Sequence, residues 1–435
     1  MKNIMEQTQK KQNYTLPIIV MFLLYFMIAF VTNFAGSMGS IVKNQYGVSN
    51  GLAMLGLAVN FIAYACMGIP AGVILKRKGY KFTSLCAVSV GLVGVAIQWI
   101  SGPAQSFAVY ILGAFVAGFS MCMLNIVVNP MLNTLGGGGK KGNQLNLFGG
   151  SFNSIGGTLA PIFLGYLIGG KAIENATVTD AAPAMITAMA IFAAAFLVIL
   201  FTKIPEPHME TAEEKANRLA GNAKKDPYSP MSFRHFILGA IAIFFYVGAE
   251  VGIPFIADLY MKNTESLKIG AALSGTLVGI YWFLMMCGRF IGGAIGGKVS
   301  SKSMLTTVAS VAICFVLGIM LIPETYAVEL NWSAIGLVGS VPVNMLCMVL
   351  CGLCTSVMWG CIFNLATEGL GKYTPLASGI FMTLVCGGAL SFVQGSIADA
   401  IGYLGSYVLV IFCFAYILFY ALIGSKNVNT NIDTH

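Results

Sequence analysis

From residue 16 to residue 42 the chain carries no Asp, Glu, Lys or Arg. As a helix this stretch would extend about 40 Å, more than the roughly 30 Å apolar thickness of a bilayer. It is too long for a signal-peptide core and shows no clear small-residue cleavage site, so it reads as an uncleaved first span. The pattern then repeats. Cutting at charges, prolines and glycine-rich turns gives apolar runs at roughly 16–42, 52–75, 82–101, 107–135, 145–170, 181–202, 236–261, 270–297, 303–322, 339–367, 374–399 and 402–424. Only 9% of the residues are charged and 57% are apolar or aromatic, whereas soluble domains carry about 25% charged residues. A soluble fold is excluded. The expected architecture is an all-α integral membrane protein with twelve transmembrane helices in two six-helix halves.

The expected layout is a tail at 1–15, a first half at 16–202, a linker at 203–234, a second half at 235–424 and a tail at 425–435. Residues 323–338 are ambiguous, and a short interfacial helix beside Trp332 is one reading of them. The linker segment Pro205 to Pro230 admits either an amphipathic surface helix or a solvated tether.

A net charge of +8 would suit a nucleic-acid binder only if the basic residues shared one water-exposed surface. Instead they sit in alternate short loops: nineteen Lys and Arg fall on one side of the spans and four on the other, with Arg289 alone inside a span. Basic loops stay cytoplasmic. Both termini and the linker are therefore expected in the cytoplasm, with the protein in the inner membrane and no nucleic-acid partner. A monomer is expected.

The eleven cysteines lie almost wholly inside apolar runs and read as small buried hydrophobes. Cys351 and Cys354 form the one Cys-x-x-Cys pair, with no His nearby. His208, His235 and His435 assemble no zinc or Ser/His site. Neither a metal nor a cofactor is expected, and a membrane-embedded transferase would need an acid, base or metal cluster that the spans lack.

Polar side chains in hydrocarbon are costly unless paired, so those inside the spans are candidates for function. Asn125, Asn129 and Asn133 recur at i, i+4 and i+8 and share one helix face. Asn146, Gly150, Asn153 and Gly157 share another. The first span adds Thr32, Asn33, Ser37 and Ser40, and the tenth adds Trp359 and Asn364. Amides both donate and accept, which suits the hydroxyls of a neutral sugar; interhelical glue is the plainer alternative. Tyr246, Tyr281, Trp282 and Trp359 could stack on a sugar ring or simply pack. Two charges stand apart. Glu250 in the seventh span could couple an ion, H+ or Na+, could hydrogen-bond the sugar, or could pair with Arg289 of the eighth.

At these residues the chain resembles the fucose, galactose and glucose proton-symporter group of the major facilitator superfamily. The match is carried by Asn129-Pro130 with Leu135-Gly136, by Leu145-Asn146-Leu147 and by Ser151-Phe152-Asn153-Ser154-Ile155-Gly156. It continues through Tyr246-Val247-Gly248-Ala249-Glu250, Gly288-Arg289-Phe290-Ile291-Gly292, Ile362-Phe363-Asn364-Leu365 and Gly369-Leu370-Gly371. The resemblance implies an alternating-access carrier rather than an enzyme, with a central sugar site between its halves. It also exposes a departure: the group's two membrane carboxylates align with Gly36 and Asn125, neither of which can carry a proton, and its sugar-binding Gln falls on Gly149 or Gly150. The site expected here is Asn33, Asn125, Asn129, Asn153, Tyr246, Glu250, Trp359 and Asn364, with Glu250 as the ion-coupling group. An uncoupled sugar facilitator and an exporter of amphipathic compounds are the alternatives.

Overall fold

A computed structural model describes residues 14–48, 55–167, 176–220, 226–264, 267, 269, 271–333, 337–429 and 431–434. The first span is Thr15–Ser37, and a short helix, Gly39–Tyr46, follows it, so the first apolar run is two helices and not one. The second and third spans form Leu55–Ser101, broken at Gly79. The fourth is Phe107–Leu135, the fifth Gly139–Leu167 and the sixth Ala182–Phe201. The seventh, eighth and ninth are Arg234–Asn263, Ala271–Gly296 and Ser301–Leu321.

The last three spans are segmented. The tenth comprises Val343–Thr355 and Met358–Thr367. The eleventh is α-helical over Thr374–Thr383, 3-10 over Leu384–Ala389 and α-helical again over Leu390–Ile401. The twelfth covers Gly405–Gly424. Among the described residues ten stretches are long and apolar enough to cross a membrane; the 43 residues of Val59–Ser101 are two spans joined at a turn, and with the fifth span, Gly139–Leu167, the count is twelve.

The fifth span begins six residues before its apolar run. Gly137, Gly138 and Gly139 have φ of 77°, 72° and 52°, a left-handed path open to glycine, and the helix is entered at Gly139 and runs on through Lys140 and Lys141. Among the described residues of 323–338 there is no interfacial helix. Ala327–Trp332 pairs antiparallel with Leu337–Pro342, Val328 opposite Val341 and Trp332 opposite Leu337. The hairpin joins the ninth and tenth spans at the end of the bundle away from the basic loops.

The outer surface fits a lipid solvent. Phe201, Leu321, Ile291, Phe412 and Ile423 are exposed on the helix exteriors, an apolar belt that water would not tolerate on a soluble domain. Inside, Gly72 meets the eleventh span so closely that a Cβ there would stand 2.8 Å from the Pro375 carbonyl, the small-residue packing by which membrane helices approach each other.

The linker contains both structure and anchors. Ala212–Leu219 is an exposed helix with a capping box, Thr211 and Glu214 satisfying each other's backbone N–H groups, so this part of the linker is helical. Ahead of it, the Glu206 carboxylate accepts the backbone N–H groups of Tyr80 and Lys81, the latter at 2.9 Å. These are the orphan donors at the start of the third span, freed where Gly79 breaks the helix with φ of 83°. Tyr80 Oη lies 2.6 Å from His208 Nδ1. Burial pushes the His208 imidazole down to about 4. Beyond the helix, Asp226 accepts from Tyr373 Oη at 2.7 Å and pairs with Lys372 at 3.4 Å, both at the start of the eleventh span.

Candidate polar circuit between the halves

The seventh span positions Glu250 through its own break. Pro254 has no N–H, so the carbonyl of Glu250, four residues back, loses its helical partner. Tyr281 Oη of the eighth span donates to that carbonyl at 3.0 Å. One turn before Glu250, Tyr246 Oη donates to its Oε1 at 2.7 Å. Arg289 closes on the same oxygen at 3.5 Å, the two side chains being 13% and 15% exposed. The ion pair anticipated as one reading of Glu250 is therefore present.

Arg289 also reaches out of its own half. Its Nη1 donates to the fifth span at three points: Gly150 O at 3.1 Å, Ser154 Oγ at 2.9 Å and Asn153 Oδ1 at 3.5 Å. Asn153 Nδ2 in turn donates to the Tyr25 carbonyl of the first span at 3.0 Å. The Tyr25 hydroxyl donates to Asn129 Oδ1 in a short hydrogen bond. That same oxygen receives Trp359 Nε1 of the tenth span at 3.1 Å. Trp359 stands edge-on to Tyr246 with ring centroids 6.2 Å apart, which returns the path to Glu250. The result is a closed circuit that crosses the interface between the halves twice, once through Arg289 and once through Trp359.

The amide ladder of the fourth span supplies the rest. Asn129 Nδ2 donates to the Asn125 carbonyl at 2.8 Å, and Asn125 Nδ2 donates to Tyr64 Oη at 2.8 Å. Asn129 is fully buried and Asn125 nearly so. Phe381 of the eleventh span backs Trp359 edge-on at 6.0 Å.

Of the expected site residues, Asn125, Asn129, Asn153, Tyr246, Glu250 and Trp359 come together here. Two lie elsewhere. Asn33 donates to the Ala29 carbonyl of its own helix at 2.9 Å and packs by Gly157, one turn past Asn153. Asn364 donates to Ser301 Oγ of the ninth span at 2.9 Å, about 7 Å of helix from Trp359 toward the basic loops. Trp282, a stacking candidate, is 41% exposed and faces outward. Ser37 and Ser40, with Gly36, have side chains outside the described residues.

Tyr25, Tyr64 and Ser154 belong to the circuit or its brace without having been anticipated. Tyr25 had one usable signal, the single hydroxyl in the apolar stretch from Leu16 to Val31. Tyr281 had a sharper one, since a proline four residues after Glu250 demands an outside donor.

Two bundles of six helices, joined by a linker anchored to both and meeting across a polar circuit, define a two-half membrane carrier. The sequence places it more narrowly. Residues 21–393 match the Major Facilitator Superfamily, and the chain belongs to that family. It is 33% identical over 427 residues to the glucose/galactose transporter of Brucella abortus (strain 2308), covering 97% of each chain. It is 23% identical over 441 residues to the L-fucose-proton symporter of Escherichia coli (strain K12), covering 96% of this chain and 95% of that one. Among solved structures, the superfamily transporter FucP in the outward conformation superposes with a TM-score of 0.77 at 20% identity, covering 95% of this chain and all of the other. The proton:xylose symporter XylE superposes with a TM-score of 0.70 at 13% identity over 95% of both chains.

Proposed function

We propose that this chain is a secondary active transporter that carries a neutral monosaccharide, a hexose or 6-deoxyhexose such as glucose, galactose or fucose, by alternating access. The observation behind this reading is the circuit itself. It contains amides, a tryptophan, two tyrosine hydroxyls and one ion pair, and sugar hydroxyls can replace each of its hydrogen bonds because they also donate and accept. Trp359 offers an apolar ring face to a sugar's C–H surface. The relatives' names point to the same class of solute.

Cation symport, with H+ or Na+, is assigned to Glu250, the one carboxylate in the circuit. Protonation or sodium binding at Glu250 weakens its hold on Arg289, and Arg289 is one of the groups that tie the eighth span to the fifth, through Gly150 and Ser154. Ion occupancy thereby changes the bond between the halves. A second reading, uncoupled facilitation, draws on the same ion pair: if the pair never opens, Glu250 is structural and sugar only equilibrates.

Reconstituted protein given a panel of labelled hexoses should take up at least one and, under an imposed proton or sodium gradient, concentrate it. Equilibration without accumulation would select the facilitator, and uptake of amphipathic cations alone would select an exporter. The orientation proposed is inner-membrane, with the basic loops and both termini cytoplasmic. Single cysteines at Lys78 and Asn331, both exposed, should then label from opposite faces in a cysteine-free background.

A further inference from the structure

Below the circuit, toward the basic loops, lies a set of amides that the circuit does not use. Asn146 is 3% exposed, and neither its Nδ2 nor its Oδ1 has a hydrogen-bond partner in the protein. Asn143 is fully buried, and its Oδ1 also lacks one; its Nδ2 reaches only Cys361 Sγ of the tenth span, at 3.8 Å. Asn133 Oδ1 is buried without a partner against Gly142. Such groups are costly inside a membrane protein, and native interiors rarely keep several together.

Their arrangement is directional. Gly142, Asn146, Gly149 and Asn153 fall at helical spacing on one face of the fifth span. Gly142 abuts Asn133, Gly149 packs on Tyr25 and Leu132, and Asn153 is part of the circuit. At the basic end Asn133, against which Gly142 packs, lines an open cavity of about 400 Å3 together with Thr134, Asn364, Thr367 and Glu368. The cavity is in the size range of small-molecule sites. It lies between the turn after the fourth span and the turn after the tenth, so its walls come from both halves. Asn364, which the circuit leaves out, belongs here.

We propose that Asn133, Asn143, Asn146 and Asn364 form a relay site on the basic side of the circuit. A polyhydroxyl solute released from the circuit is held here by the unpartnered amide atoms of Asn133, Asn143 and Asn146, with Asn364 beside them, before it enters the cavity. This rests on the sugar-carrier reading and deepens it. The occupant is a neutral sugar because every group offered is an uncharged donor or acceptor, apart from Glu368 at the rim.

The test is Asn146→Leu in proteoliposomes, with two measurements on a sugar that wild type transports. Equilibrium binding, read from Trp359 fluorescence, should stay within about twofold of wild type, and net uptake should fall about tenfold, the equivalent of one hydrogen bond. Asn146→Gln should restore most of the uptake. The melting temperature should not drop, since no existing bond is removed. Should the leucine overpack and the protein fail to fold, Asn146→Ala is subject to the same two readings. Uptake equal to wild type overturns the relay and makes the amides a structural patch. Binding and uptake falling together also overturns it, by moving Asn146 into the central site. Absence of sugar uptake by wild type overturns the carrier reading itself, and the relay with it.

Discussion

The two halves bring different chemistry to the same interface. The first contributes neutral groups, Asn125, Asn129, Asn153 and Ser154, with the hydroxyls of Tyr25 and Tyr64. The second contributes the charges, Glu250 and Arg289, and the rings of Tyr246, Trp359 and Phe381. Neutral amides hold a solute at a strength that depends little on ion gradients, whereas a carboxylate that can gain a proton or a cation responds to them directly. The split predicts that affinity and coupling can be broken separately, affinity from the first half and coupling from the second.

The largest effect should come from Glu250→Gln. It should abolish accumulation against a gradient while leaving sugar exchange intact, because the amide still accepts from Tyr246 but cannot alternate in charge. Accumulation by the Gln variant would place coupling elsewhere. Next in size is Arg289→Leu. Removing one partner of a buried pair strands the other, at about 3–5 kcal/mol, so a large fall in melting temperature is expected. Combining it with Glu250→Gln should recover much of that fall; failure to recover would mean that the bonds to Gly150 and Ser154 outweigh the ion pair.

In the first half, Asn129→Leu leaves Trp359 Nε1 and Tyr25 Oη without their acceptor, about 1–3 kcal/mol for each buried donor. Sugar affinity should fall by roughly one to two orders of magnitude with the accumulation ratio at saturating sugar preserved. A lost ratio would mean the halves do not divide the work. The smallest effect concerns the linker's hold on the first half. His208 is held at about 4 in the folded protein, below its ordinary 6.5, so the unfolded chain binds the extra proton between those values. Stability therefore rises with pH through this window and is lost as pH falls. Melting temperature should decline from pH 7 to pH 5, and His208→Gln should flatten that slope. An unchanged slope would show that other groups govern it.

The spans were legible because absence of charge over some twenty residues has few other meanings in a chain this apolar. The ladder of Asn125 and Asn129 was equally readable, being a matter of helical spacing within one segment. What spacing cannot supply is the rotation of a helix about its axis and its depth against a neighbour. Asn33 and Asn364 have the right chemistry on the right spans, yet one lies a turn beyond the circuit and the other toward the basic end. Arg289 lay in view as a lone intramembrane charge, but its bonds to Gly150 and Ser154 cross 139 and 135 residues of sequence. The 327–342 hairpin was missed for a similar reason. Its pairing depends on a partner strand rather than on local preference, and a short mixed run between two spans reads as well for a helix.

The eleventh span has a mechanical consequence. Leu384–Ala389 is wound as a 3-10 helix between two α-helical segments. Six residues at a rise of about 2.0 Å instead of 1.5 Å make the span about 3 Å longer than an uninterrupted α-helix, and 120° per residue instead of 100° overtwists it by about a third of a turn. Rewinding the segment would shorten and untwist the span in a single motion. Its two ends are therefore geared like the ends of a screw: Phe381 behind Trp359 cannot advance toward Leu390 without also turning.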